Sequence, residues 1–271
     1  MTAGRNRDAE LHNRKHWDEL ADVHIRSYDL GPLLGGGHVL DPDQVEEVGD
    51  VRGKTLLHMQ CHIGSDTLSW ARLGARVTGV DISPVSLARA RELASRCGLE
   101  ARFIESSLYD MTRHLDGDFD VVYTSEGVLC WLSDLREWAR LIARYLKPGG
   151  FFYIQESHPF ANVLDEGAEG LSIRNSYWGS PDPTEWPGDY PDYSDSGYMV
   201  RTGTMEWTWT IGDVVNSLID AGLRIEFLHE FDRLAWKAIP AMEKIDGWYR
   251  LPDSYPRLPW MFTLKARRPQ G

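Results

Sequence analysis

Cysteine is scarce: Cys61, Cys97 and Cys130 are the three in 271 residues, widely spaced and without a CxxC pair. That excludes a disulfide framework and any cysteine-based metal signature, and it fits thiols kept reduced in a cytosol. Long apolar runs are lacking too. No stretch approaches the ~18 to 20 unbroken apolar residues that a bilayer-spanning helix needs. The first residues, MTAGRNRDAELHNRK, hold charge where a secretory leader would hold an apolar core. A cytoplasmic location with no membrane partner is expected. Basic charge is also short, with 29 Lys and Arg against 41 Asp and Glu and a net charge of -12. Such a surface repels a phosphate backbone, so nucleic acid is not expected as a partner. The basic clusters at Arg5, Arg7, Arg14 and Lys15, and at Lys265, Arg267 and Arg268, lie near the termini and read as solvated charge.

What is present is a rhythm. A hydrophobic content of 42% supports one buried core, and the length fits a single α/β domain with insertions. HNRKHWDELADVHIRSYD (12–29) spaces Trp17, Leu20, Ala21, His24 and Tyr28 as one helix face, and GPLLGGG breaks it. A short acidic helix is expected from Pro42. Then TLLHM, RVTGVD, ARFIES, FDVVYTS and FFYIQES read as strands, separated by SDTLSWARLG, SPVSLARARELASRCG and LREWARLIARYL as helices, with KPGG as a turn. Strand and helix in alternation imply parallel strands, right-handed crossovers and helices on both faces. TIGDVVNSLIDAGL adds a helix, and RIEFLHEF and LPWMFTLKARR add strands.

Residues 160–205 break the rhythm. They hold Tyr177, Trp178, Trp186, Tyr190, Tyr193 and Tyr198 among Pro181, Pro183, Pro187 and Pro191. So many aromatics argue for an ordered lid and against a linker. The expected organisation is one domain over 1–271: a helical cap (1–50), a core (51–159), a lid (160–205) and a closing helix with strands (206–271).

In an open parallel sheet the ligand lies outside the carboxyl ends of the strands, and the first strand-to-helix turn comes closest to it. Here that turn is HMQCHIGSD. Gly64 permits close backbone approach, and the amides at the following helix start can receive an anion. Asp81, ending the second strand, is placed to accept from both hydroxyls of a ribose. An adenosine-containing cofactor is therefore expected. The turn lacks GxGxxG, which counts against an NAD(P)-dependent oxidoreductase.

LLHMQCHIG, followed by VTGVD, FDVVYTSEGVLCWL and LKPGGFFYI, resembles the class I S-adenosylmethionine (SAM)-dependent methyltransferases. It is most similar to a bacterial small-molecule branch whose first motif runs like LHLQCHFGxDTLS. The similarity covers residues 55–156, and less specifically WDELADVH and DAGLRIEFLHE. It implies a Rossmann-like doubly wound sheet and SAM as cofactor, with S-adenosylhomocysteine as product. It also implies Gln60, His62 and Gly64 beside the methionine part, Asp81 at the ribose and Ile82 on the adenine face. Ser107 and the Leu108 amide would lie at the adenine edge, and Ser125 beside the transferring methyl. The wider superfamily has an acidic residue where His58 stands, glycines at Gln60 and His62, and often Asp at Ser107. The contact to the SAM ammonium must then come from elsewhere, and the N-terminal helix, with His24 and Tyr28, is the expected source.

Methyl transfer from a sulfonium is an in-line displacement that needs alignment above all, and alignment can be worth roughly 7 to 11 kcal/mol. The expected acceptor is a small aromatic or apolar metabolite of secondary metabolism. Three alternatives remain open: methylation coupled to cyclisation of the product, an NAD(P)-dependent oxidoreductase, against which the missing GxGxxG counts, and a non-catalytic SAM-binding module. His158, after the fifth strand, is either a proton acceptor for the substrate or a histidine that caps its loop. Tyr28 could orient the acceptor. Trp131, Trp178 and Tyr198 are candidate pocket walls, each with core or loop packing as the plainer role. His58 and His62 sit on strand and turn, where they cannot converge on a metal, so none is expected. Monomer and homo-oligomer both stay open.

Overall fold

The computed structural model describes residues 5–165 and 170–270. In chain order the elements are α1 (Arg7–Ser27), α2 (Gly31–Leu34), α3 (Pro42–Val48), β1 (Thr55–Met59), α4 (Ser65–Arg72), β2 (Arg76–Asp81) and α5 (Pro84–Cys97). They continue with β3 (Arg102–Glu105), β4 (Phe119–Thr124), α6 (Leu135–Tyr145), β5 (Leu146–Ser157), β6 (Thr184–Trp186), β7 (Tyr190–Pro191), β8 (Met199–Val200) and β9 (Thr204–Glu206). The last are α7 (Ile211–Asp220), β10 (Arg224–Phe231), β11 (Glu243–Ile245), β12 (Trp248–Arg250) and β13 (Met261–Arg267).

The helices start where side chains can take the orphan amides of the first turn. Asn6 accepts from Ala9 N, Ser83 Oγ from Ser86 N ahead of Pro84, and Asp134 from Glu137 N. Thr210 and Asp213 hold each other's backbone amides at the start of α7. α5 stops at Gly98, whose φ of 62° is left-handed.

Seven strands form one sheet in the order β10-β13-β5-β4-β1-β2-β3. Five adjacent strands, β3, β2, β1, β4 and β5, are parallel as the alternation implies. The last strand departs from that pattern: β13 is antiparallel to both β5 and β10. It reaches the sheet without a helical crossover, and a direct return can only pair antiparallel. The KPGG segment, expected as a turn before the fifth strand, lies inside β5. It loops out where Phe119 pairs with Leu146 but Val121 pairs with Phe151.

Alternate residues feed the two faces. Leu57, Met59, Val122 and Ile154 pack against Trp138, Ile142, Val214 and Leu218 of α6 and α7. Leu56, Val77, Val121 and Tyr153 pack against Val48 and Trp70 of α3 and α4. Among the described residues no helix is long and apolar enough to cross a membrane.

The 160–205 segment is less irregular than expected. β6 pairs with β9 and β7 with β8, both antiparallel, and the segment is fastened along one face of α1. His12 and His16 meet the carbonyls of Gly203 and Thr202, and Asn13 bonds both backbone groups of Met205. Glu19 accepts from Arg201 N, Tyr198 OH, Thr202 N and Thr202 Oγ1 at 2.6 to 3.1 Å. Val200 is buried against Leu20 and Val23.

Because four donors converge on it, Glu19→Ala should destabilise the cover selectively, by about 1.5–3 kcal/mol for charge-assisted bonds left unmade. Limited proteolysis of the variant should cleave within 170–205 faster than in the wild type while 51–159 stays intact. An unchanged cleavage rate would show that the clasp is held elsewhere.

Candidate active site

The turn after β1 is strained. Gln60, His62 and Gly64 all have positive φ, at 58°, 48° and 74°. For glycine this is free, but each of the other two costs about 1–3 kcal/mol. The departures from the family's glycines therefore keep glycine's backbone. What holds them is a set of short bonds: Cys61 N to Val80 O at 3.0 Å, Gly64 N to Cys61 O at 2.8 Å, and His62 N to Asp81 Oδ2 at 2.7 Å. A Cβ on Gly64 would lie 3.0 Å from Ala90 Cβ and from the Phe103 ring, so this position admits glycine alone.

Asp81 ends β2 and also accepts from Ser83 N at 2.8 Å. Burial raises its carboxyl to about 6, against the amide hydrogen bonds of Ser83, His62 and Ile82 that lower it. The Gln60 amide donates to Val128 O at 3.2 Å. Its Oε1 is buried and finds no hydrogen-bond partner among the described residues. His58 is buried between Thr67 Oγ1 at 2.8 Å and Ser125 Oγ at 3.3 Å, and burial lowers it to about 3. It is neutral at physiological pH and cannot replace a carboxylate.

α1 crosses this edge. On one side Ser83 Oγ donates to Asp18 and Arg89 pairs with Asp22, tying α1 to α5. Below them Trp17 meets His62 edge-on at 4.9 Å and Trp131 at 5.3 Å. His24, fully buried, contacts His62 Nε2 through Nδ1 at 2.8 Å and Asp192 Oδ2 through Nε2 at 3.2 Å. Burial would raise Asp192, yet the hydrogen bonds from His24 and Ser194 hold it at about 2. His24 thus donates to Asp192, His62 donates to His24, and Ser86 Oγ, 3.0 Å from His62 Nδ1, closes the chain. Tyr28 stacks on His24 at 4.7 Å, and its hydroxyl bonds that of Tyr193 from the cover. Ser107 donates to Glu10 of α1. Leu108 is buried in the main core, and Ile82 is half-buried beside Asp81.

The structure thus gathers Gln60, His62, Gly64, Asp81, Ile82, Ser125, His24 and Tyr28 at one edge. Ser107 lies against α1 through Glu10, and Trp131 reaches the same edge through Trp17, whereas Trp178, Tyr198 and His158 are engaged elsewhere. Trp178 is 74% exposed and packs on Tyr177, so it walls no pocket. Tyr198 is spent on Glu19. Trp131 packs against Trp17 and His16. His158 accepts from Phe160 N at 3.0 Å, lies 2.9 Å from Glu230 and meets Phe262 edge-on. These are the contacts of a loop-capping histidine on the β10–β13 side.

A group that sequence reasoning missed stands beside Ser125. Glu126 Oε1 and Asp41 Oδ2 each accept from Gln155 Nε2 at 2.7 Å. Asp66, whose pKa is raised by burial, accepts from Tyr123 OH. Burial, then Asp41, Glu156 and Asp66, push Glu126 up to about 8. The acid directly after FDVVYTS was the available signal. Glu156, also buried, takes the amides of Gly127, Val128 and Leu129 and so fixes the loop that carries Glu126. Among the described residues no three His, Cys, Asp or Glu side chains are arranged to hold a metal ion.

Residues 57–154 match the family model described as a methyltransferase domain. The chain is 34% identical over 142 residues to a ubiquinone biosynthesis O-methyltransferase of Xanthomonas oryzae pv. oryzae, covering 51% of this chain and 58% of that protein. The chain spans about half the length of the curated relatives it matches. Its fold is that of a SAM-dependent methyltransferase from Mesorhizobium loti, with a TM-score of 0.59 at 22% identity over 84% of this chain and 96% of that one. A second, from Clostridium acetobutylicum, gives a TM-score of 0.59 at 13% identity over 93% and 99%. Residues 57–154 are therefore similar to a methyltransferase domain, and the chain has the fold of these SAM-dependent methyltransferases.

Proposed function

We propose that the protein methylates a small-molecule acceptor whose attacking atom carries a proton, with Glu126 taking that proton. The observation that carries this reading is a half-buried carboxylate pushed up to about 8 and bonded to Gln155 Nε2, next to Ser125 at the edge where the strained turn and Asp81 meet. A base near the working pH is the most effective one.

The residues fit SAM. Buried Gln60 Oε1 is an acceptor in need of a donor, and an ammonium is one. Asp81 accepts the His62 and Ser83 amides, one at each oxygen, with the Ile82 amide also acting on it, and keeps acceptor capacity towards a ribose hydroxyl. Ile82 would flank the adenine. Ser107, whose proton goes to Glu10, keeps its lone pairs for an adenine amino group beside the Leu108 amide. When bound, SAM supplies a methyl group on a positively charged sulfur that leaves as a neutral thioether. Everything else falls to the chain's own side chains. α1 covers the edge through Trp17 and Tyr28, Tyr193 bonds the Tyr28 hydroxyl from the 170–205 segment, and the Ser125 loop sets the acceptor's approach. His158, engaged with Phe160 and Glu230, is assigned to holding the loop after β5.

Two outcomes follow. Calorimetric titration with S-adenosylhomocysteine should give binding that weakens as the pH is lowered through about 6, because protonated Asp81 loses acceptor capacity for the ribose. Asp81→Asn should bind roughly 10- to 100-fold more weakly, the equivalent of charge-assisted bonds worth about 1.5–3 kcal/mol, and without that pH dependence. Wild-type affinity in the variant would refute the cofactor site.

For catalysis, release of S-adenosylhomocysteine should be followed over a panel of small hydroxyl and amino acceptors. Glu126 faces Asp41, Asp66, Glu156 and Tyr193, and it accepts a proton only when ionised, so kcat/KM should climb with pH towards about 8. Glu126→Gln should lose that limb and about 10²- to 10⁴-fold in turnover, whereas His158→Ala should keep it. The reverse result would return the base to His158.

A further inference from the structure

We propose that the acceptor is a primary or secondary amine, bound as its ammonium ion by Asp41, Glu126 and the Gln155 carbonyl oxygen. This names the substrate class of the methyl-transfer reading above and rests on it.

Three elements deliver the cluster. Asp41 precedes α3, Glu126 follows β4, and Gln155 projects from β5. One nitrogen, Gln155 Nε2, donates to both carboxylates at 2.7 Å. The gap between them is thus shaped for an N–H donor and is already filled at its floor by one. When ionised, the two carboxylates sharing this donor repel each other, and Asp66 adds to that repulsion, so the ionised cluster favours a cationic ligand. Arg233 acts on Asp41, but the strongest charged neighbours of Glu126 are all acids. Like charges gathered without a counter-ion cost stability, and a cationic ligand removes that cost.

A second observation is independent of charge. Gln155 is fully buried, and its Oε1 has no hydrogen-bond partner among the described residues. A buried amide oxygen left unmade costs about 1–3 kcal/mol. Carboxylates and an amide oxygen together offer acceptors only, so the matching ligand must bring several donors. An ammonium ion brings two or three N–H groups; an alcohol brings one, and a carboxylate brings charge of the wrong sign. A divalent cation is not matched, because no three His, Cys, Asp or Glu side chains among the described residues are arranged to hold one. The Tyr28 and Tyr193 hydroxyls bond each other, and Tyr193 interacts electrostatically with Glu126.

The same contacts serve the chemistry. An ammonium has no lone pair and cannot attack. Its proton passes to the Glu126 carboxylate, giving a carboxylic acid, and the electron pair of the broken N–H bond stays on nitrogen as the nucleophile.

The test uses the full chain saturated with S-adenosylhomocysteine and three probes of one skeleton: benzylamine, benzyl alcohol and benzoate. Their binding is followed by ligand-observed NMR titration. Benzylamine should bind at least about tenfold more tightly than the alcohol, as a charge-assisted contact requires. Glu126→Gln and, separately, Asp41→Asn should reduce that preference to within about threefold while leaving S-adenosylhomocysteine affinity and melting temperature near wild type. The neutral isosteres remove repulsion, so folding should survive in at least one of them. Equal or undetectable binding of the amine overturns the proposal, as does an amine preference that persists in both variants. Mg²⁺ alone binding at the cluster, lost in the same variants, overturns it in favour of a metal. If S-adenosylhomocysteine does not bind but benzylamine does, the methyl-transfer reading falls and the amine site stands.

Discussion

The backbone N–H of His62 reaches Asp81 at 2.7 Å, and this bond joins the end of β1 to the end of β2. Without it, two non-glycine residues in left-handed conformations would have little reason to stay there, since relaxing to an ordinary backbone releases strain. With it, the turn gains something glycines could not supply. Gln60 extends to Val128 O and steadies the loop after β4, and His62 extends to His24 and so to α1 and Asp192. The strained turn is the point at which core, N-terminal helix and cover are joined.

α1 carries that connection along its length because its residues face two ways. Positions 12, 13, 16, 19, 20, 23, 24, 27 and 28 recur at helical spacing and meet the 190–205 region, while Asp18 and Asp22 on another side meet Ser83 and Arg89. A helix whose two faces are both occupied cannot leave one partner without disturbing the other. The helix and the segment bonded to it are thus tied into one unit of local opening.

The rhythm of strands and helices was legible because parallel strands covered on both faces must be short continuous apolar runs, as TLLHM and FDVVYT are. The direction of β13 was not, because an antiparallel return leaves no periodic mark; it shows only in the pairing of Phe262 with Glu156 and Glu230. The short strands of the cover were hidden for a similar reason. Thr184 pairs with Glu206, and segments of two or three residues carry no alternation to read. Within the site, Gly64 and Asp81 could be seen from the motif order alone. Asp41, Glu126 and Gln155 could not, since their meaning lies in convergence from distant positions. His158 was ambiguous because a histidine before a proline suits both roles, and only its contacts with Phe160 and Glu230 separate them.

Where a fold breaks local rules, the breach is informative about what the site must do. This chain breaks two at one edge of one sheet. Gln60 and His62 adopt a backbone that costs energy, and Asp41, Glu126 and Asp66 gather negative charge under partial burial, without a matching cation at Glu126. Some acids elsewhere have a basic partner: Glu226 is held by Arg267, Asp110 by Arg5, and Asp120 by Lys147. With 41 acids against 29 basic residues not every acid can be paired, and Glu126 is one whose strongest charged neighbours are all acids. This charge sits one residue past Ser125, at the carboxyl end of β4. Its cost is therefore best understood as a property of the ligand-free protein that a bound cation offsets.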